Sequence, residues 1–274
     1  MRKPAFIALS LSIALAPLGF GAQPVNTIQD GRIVQGGTYY NTHDSRTTFI
    51  NSGSGGLWIK NGTTVKGVEA DASGNPTNNG GTFHFYAPGN VVRIDGNIDV
   101  NGVLNSQGTP LGNGGKVFID SAFLFQNGNI FANGLNGGLI QANVGAMTFG
   151  TGARIEAKGS GFGTDGQGGI VAINSTGVVD LKRGSTIDTS GRVLGQYNPA
   201  TNSIIGRLDT NIINIEGSLV NVDGTLKANG VAIQYGGSRG GTIRLVSTGQ
   251  SDMQGLKDAL TAGMQTNPYD SSAP

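Results

Sequence analysis

Few residues in this chain could do chemistry, and their types narrow what that chemistry would be. Cysteine is absent, which excludes thiol nucleophiles, thiolate metal sites and disulfides. The two histidines, His43 and His84, have no second histidine at ligand spacing, so each reads as a lone surface histidine and not as part of a metal centre. The carboxylates are more informative. Asp99, Glu156 and Asp188 hold the same place in three copies of one short phrase, and Arg93 and Asp95 lie just before the first copy. Polysaccharide hydrolases and lyases need clustered carboxylates as general acid and base, and a cation to hold developing negative charge. If the chain is an enzyme, Arg93, Asp95, Asp99, Glu156 and Asp188 are the residues that carry it. The competing expectation, and the favoured one, is a stripe of solvated carboxylates interrupted by Phe131. No Asp-Asp pair, Gly-His-Gly or Arg-x-Lys motif accompanies them.

One other loop bears on cofactors. Gly161-Phe162-Gly163-Thr164-Asp165-Gly166 resembles part of a glycine-rich calcium repeat, with Asp165 as the candidate ligand. Such sites hold each ion between successive stacked copies, and a single copy reads instead as a flexible loop. No phosphate-cradling loop with a following Lys-Ser/Thr occurs. No cofactor is implied.

The elements that must position these residues are repeated. The phrase containing the carboxylates occurs as NIDVNG from Asn97, NIFANG from Asn129, RIEAKG from Arg154, TIDTSG from Thr186 and TLKANG from Thr225. A second phrase, a Gly-Gly pair followed by a short strand, occurs at Gly55-Gly56, Gly80-Gly81, Gly114-Gly115, Gly137-Gly138, Gly168-Gly169 and Gly240-Gly241. The second residue after each pair is Trp58, Phe83, Val117, Ile140, Val171 or Ile243, always apolar. The fourth is apolar everywhere except at Lys60. Alternation with one apolar face marks a half-buried strand, and columns that recur along the chain imply strands stacked on each other.

Joined, the two phrases delimit units 80–102, 114–134, 137–159 and 168–191. Each contains three short apolar stretches, such as LIQAN, GAMTF and ARIEA, with glycines expected to supply the left-handed backbone at the corners. The expected fold is all-β: a right-handed single-stranded parallel β-helix with three short strands per rung. Inserts of variable length, 103–113, 135–136, 160–167 and a longer one after Gly191, fall at one corner. Residues 192–239 have no Gly-Gly opening and no clear register. Asn101, Asn133 and Asn229 precede closing glycines, either as a partial ladder or as turn chemistry alone.

The ends read differently. Residues 1–22 carry Arg2 and Lys3, an apolar run and a small-residue exit near Gly21 and Ala22, the pattern of a secretory signal peptide. Residues 23–54 are expected to form an N-terminal cap or first rung, 55–250 the β-helix, and 251–274 a short C-terminal cap helix with a flexible tail. Met253, Leu256, Leu260 and Met264 recur there at helical spacing. Glycine is the compositional outlier, with 48 in 274 residues, and 13% of the residues are charged. The glycine share is about two and a half times the usual one. No Gly-X-Y period is present, which excludes collagen. The net charge of +1 with no basic patch excludes nucleic acid as a partner.

The Ile-Asp-x-Ser-Gly form of Thr186–Gly191, and RIEAKG followed by Gly168-Gly169-Ile170-Val171, resemble the rungs of filamentous-haemagglutinin-type exoproteins. The resemblance runs over roughly residues 31–191 and continues in repeats to 246. It implies a bacterial β-helix adhesin exported by two-partner secretion, with an outer-membrane transporter as partner during secretion. On this reading the protein is secreted or displayed at the cell surface after Sec-dependent export. It binds a surface, a glycan or other copies of itself through loops 103–113, 160–167 and 192–203 and a flat flank. The alternative expectation is a polysaccharide-degrading enzyme on the same scaffold.

Overall fold

The computed structural model describes residues 37–41, 47–50, 56–71, 73–160, 166–191, 195–198, 203–206, 210–230 and 240–249. All regular elements among them are strands. The chain begins with β1 (Gly37–Asn41), β2 (Thr47–Ile50), β3 (Leu57–Ile59), β4 (Thr63–Ala70) and β5 (Pro76–Gly80). Three passes follow, each a long strand and then a short one: β6 (Thr82–Ile94) and β7 (Asn97–Asp99), β8 (Lys116–Gln126) and β9 (Asn129–Phe131), β10 (Leu139–Phe149) and β11 (Arg154–Glu156). Next come β12 (Ile170–Ser175), β13 (Val178–Leu181), β14 (Thr186–Asp188), and a hairpin of β15 (Gly195–Asn198) and β16 (Ser203–Gly206). The last are β17 (Ile212–Gly217), β18 (Leu219–Val222), β19 (Thr225–Lys227) and β20 (Thr242–Ser247).

The chain alternates between two sheets. One runs β1-β4-β7-β9-β11-β14-β19, with β5 antiparallel on β4. The other runs β2-β6-β8-β10-β12-β17-β20, with β3 on β6, β13 on β10 and β18 on β13. Apart from β5 and the β15–β16 hairpin, every pairing is parallel. The five copies of the carboxylate phrase are β7, β9, β11, β14 and β19, in register, so that Ile98, Ile130, Ile155, Ile187 and Leu226 form one column. From the facing sheet, Phe83, Val117, Ile140, Val171 and Ile213 form another. Apart from the partly buried Leu226, these side chains are buried in one continuous apolar core. Burying each such side chain is worth about 1.5–3 kcal/mol, and the core takes the place of the missing disulfides.

The long strands turn a corner without leaving the ladder. In β8 both Phe123 and Leu124 are buried, and in β10 both Ala146 and Met147 are. Two consecutive buried residues break the period of two at the corner. The expected separation of the first two strands of a rung therefore fails for β6, β8 and β10, and holds for β12–β13 and β17–β18.

Two expectations need correction. The strand after Gly55-Gly56 does not belong to the column of the other pairs: Leu57, Trp58 and Ile59 pair with Val92, Arg93 and Ile94, beyond the corner of β6. Leu57 and Ile59 are buried and Trp58 faces out, because a one-residue difference in register exchanges the two faces. Lys60 is then no exception, since the strand that pairs with Phe83 and Phe85 is β2. The glycine pairs also act by a different mechanism from the one expected. Gly56 alone among the described pair glycines is left-handed, at φ 65, and other left-handed glycines, such as Gly62 and Gly152, lie outside the pairs; the remaining pair glycines are not left-handed. They are required because backbone crowds backbone: a Cβ on Gly138 would lie 1.9 Å from the Gly115 oxygen, and one on Gly169 2.0 Å from the Gly138 oxygen.

These pairs close the insertion corner. The amides of Gly115, Gly138, Gly169 and Gly241 donate to the carbonyls of Val100, Ala132, Ala157 and Ala228 at 2.6–2.7 Å. Each bond ties the start of one pass to the end of the previous one, beneath an insert that can vary without disturbing the stack. Where a Gly-Gly is missing, Asn211 stands in with φ 56. Its buried side chain accepts from the Gly168 amide at 2.7 Å and donates to the Gly191 carbonyl at 2.8 Å, and asparagine tolerates the left-handed region better than other side chains. The ladder of residues before the closing glycines exists, but it runs from side chain to backbone: Asn101 Oδ1 accepts from the Asn133 amide and Asn133 Oδ1 from the Lys158 amide. The C-terminal helix expected over 252–264 lies outside the described residues.

Candidate functional site

The five anticipated residues lie on different parts of the molecule. Arg93 and Asp95 sit at the end of β6. Asp95 accepts from Trp58 Nε1 at 2.6 Å, Arg93 Nε at 2.7 Å and Asn127 Nδ2 at 2.7 Å. Arg93 and Lys60 each lie 5.2 Å from the Trp58 ring centroid. Both Asp95 oxygens are engaged, so this cluster rivets three passes together.

Asp99, Phe131, Glu156 and Asp188 share one register column on the outer face of the shorter-stranded sheet. Adjacent strands are about 4.8 Å apart, so Glu156 and Asp188 are neighbours while Asp99 is two steps from Glu156. Each carboxylate has local work. Asp99 Oδ1 accepts from the Asn101 amide at 3.0 Å and Asp188 Oδ1 from the Ser190 amide at 2.9 Å, closing side-chain turns two residues on. The Glu156 side chain is only 11% exposed, with Lys158 Nζ at 2.8 Å and Asn133 Nδ2 at 3.3 Å. The structure thus brings Glu156 and Asp188 together but does not join them to Asp99 or to the Arg93–Asp95 pair. His43 and Asp165 lie outside the described residues. Among the described residues no group of three or more His, Asp or Glu could hold a metal ion.

A different set of residues converges on the outer face of the other sheet. There a groove of about 500 Å³ is lined by Pro88, Asp120, Asn143, Asn174, Thr176 and Glu216, among others. Asp120, Asn143, Asn174 and Glu216 are successive members of one register column on β8, β10, β12 and β17. They point outward because their neighbours Ile119, Ala142, Ile173 and Ile215 fill the core. The column is linked: Asn143 Nδ2 donates to Asp120 Oδ1 at 2.9 Å and Asn174 Nδ2 to Asn143 Oδ1 at 3.1 Å. At the far end Arg244 reaches Glu216 Oε2 at 3.3 Å and Asn214 Oδ1 at 2.8 Å.

The near end is aromatic. His84 is not a lone surface histidine: its Nε2 lies 2.5 Å from Asp120 Oδ2, and its ring packs edge-on against Tyr86 and Phe118. Tyr86, 41% exposed, continues the Asp120 column by one strand. The signal for this site was present in the sequence. It is the fifth residue after four of the six glycine pairs, Tyr86, Asp120, Asn143 and Asn174, a column that the expected carboxylate set did not include. Glu216 was hidden, because its pass opens with Asn211 and not with Gly-Gly. No protein-family model, curated protein or solved structure matches this chain.

Proposed function

We propose that this is an exported bacterial surface protein whose parallel strands wind as a right-handed β-helix, and that it binds an extended glycan along the outer flank of the longer-stranded sheet. The groove carries the reading. It presents amide and carboxylate groups repeated once per pass, and the exposed ring of Tyr86 lies beyond its lining, one strand on from Asp120. Sugars are recognised by that pairing of apolar ring faces and hydrogen-bonding side chains, and a repeated column suits a repeated ligand. Export, display at the surface, an outer-membrane transporter as secretion partner and kinship with haemagglutinin-type adhesins belong to the same proposal, and rest on the N-terminal segment and the repeated phrases.

Magnitudes favour binding over hydrolysis in this groove. Asp120 and Glu216 are three strand steps apart, about 14 Å, whereas paired glycosidase carboxylates stand about 5–9.5 Å apart. Glu156 and Asp188 are close enough, but each is held by a neighbouring amide or ammonium group. The test is a binding screen of the full chain against immobilised polysaccharides, with reducing-end assays on every ligand retained. Retention without new reducing ends supports the proposal. Depolymerisation, lost in Glu156→Gln or Asp188→Asn, would replace it with the enzyme reading.

A further inference from the structure

The groove's hydrogen-bond ladder has a built-in mismatch, and we infer from it that the preferred ligand carries a protonated amine, as in a glycan of unacetylated amino sugars. This inference rests on the glycan-binding reading of the same groove. An ionised carboxylate only accepts, whereas an amide accepts at one end and donates at the other. Two amides, Asn143 and Asn174, stand between two carboxylates, Asp120 and Glu216. Asp120 compels Asn143 to turn its Nδ2 toward it. Asn143 then offers Oδ1 to the next pass, which compels Asn174 to donate in turn. Asn174 is left with only Oδ1 to offer along the column, and its neighbour there, Glu216, is itself an acceptor, whose Oε2 takes a bond from Arg244. No arrangement of the two amides removes this: three junctions need donors along the column, and two amides provide two.

The mismatch sits in the groove wall, beside Ser175 and Thr176. A ligand group that bridges Asn174 Oδ1 and Glu216 must donate in at least two directions and gains from positive charge. An alkylammonium does both, with three donors and no acceptor, whereas a hydroxyl has one donor and lone pairs that meet other acceptors. Charge-assisted hydrogen bonds are the stronger kind. Acidic polysaccharides are disfavoured, because uronate or sulfate groups would face Asp120 and Glu216. Arg244 is the competitor for Glu216 from its exposed side.

Calorimetry of the full chain with glucosamine oligomers and with their N-acetylated counterparts, at a pH where the free amines are protonated, tests this. The expected result is at least about tenfold tighter binding of the free-amine oligomer. Glu216→Gln supplies its own amide donor to Asn174 and should erase that preference while leaving the circular dichroism spectrum unchanged. Arg244→Ala should strengthen amine binding. Equal affinity for the two oligomers, or equal weakening of both by Glu216→Gln, would overturn the ammonium inference and leave glycan binding standing. Failure of every glycan to bind would overturn the parent reading instead. A rise in melting temperature with calcium chloride alone would assign the junction to a metal ion and also overturn the inference.

Discussion

The outer faces of the two sheets are built from the same repeats, yet one holds a linked groove and the other a row of separately satisfied charges. On the shorter-stranded sheet the column is Lys66, Asp99, Phe131, Glu156, Asp188 and Lys227. Its members change type at nearly every step, and its carboxylates accept from amides or ammonium groups of their own or adjacent passes. On the longer-stranded sheet the column is Asp120, Asn143, Asn174 and Glu216, whose first three members bond to each other across passes. The lesson is that a carboxylate repeated in sequence is not thereby a site. What matters is whether its hydrogen bonds are spent inside its own turn or along the axis of the stack, where a ligand can join them.

The largest effect should strike both faces together. Gly138→Ala sets a Cβ against immovable backbone at the corner that ties the sheets, and should cost about 4 kcal/mol or more, read as loss of a cooperative urea transition. Gly152→Ala, at φ 79 with open space around it, should cost only about 1–2 kcal/mol. Comparable losses at the two positions would mean that close approach is not what the glycine pairs serve.

Next comes the contrast between the faces. Asp120→Ala leaves the His84 and Asn143 donors without their acceptor and should destabilise by about 1–3 kcal/mol. Asp188→Ala, which loses one local turn bond, should cost about 1 kcal/mol or less. In binding, Tyr86→Ala should weaken a retained glycan by about tenfold, since an aromatic contact is worth about 1 kcal/mol or more. The double substitution Glu156→Gln and Asp188→Asn should leave that affinity unchanged. The opposite result would move the binding surface to the shorter-stranded sheet.

The smallest effect is local. The Asn75 amide, with those of Ser73 and Gly74 and the Asn75 side chain, holds the Asp71 carboxyl below its ordinary value of 3.8. A depressed folded value means that the ionised form steadies this turn at neutral pH. The contribution begins to fade as the pH falls below 3.8 and is gone once it has passed through the lower folded value. Amide exchange of Ser73 and Asn75 should quicken over that range. Asp71→Asn should show no such step.

Much of the fold was legible because the sequence encodes columns. The alternation after each glycine pair named Phe83, Val117, Ile140 and Val171 as core, and the repeated phrase named Ile98, Ile130, Ile155 and Ile187; all are buried. The reading failed where identity of motif was taken for identity of register. Gly55-Gly56 looks like the other pairs but feeds a strand beyond the corner, so Trp58 turned out to be the outward residue. The candidate site was misread for a related reason. Asp99, Glu156 and Asp188 were grouped by their place in a phrase, and that place is real, but their partners are residues such as Lys158 and Ser190 within their own turns.

By itself the sequence determined most of the side chains that face inward and most of the phrases that stack, because alternation and recurrence are local and each pass repeats them; Trp58, Ile243 and Leu245, read the same way, are not core. Only the tertiary structure decided that His84 meets Asp120, 36 positions away, that Asn211 replaces a glycine pair, and that two amides stand between two carboxylates in one groove. Those relations depend on which residue lies one strand above another, and that is set by the lengths of the intervening loops summed over each pass.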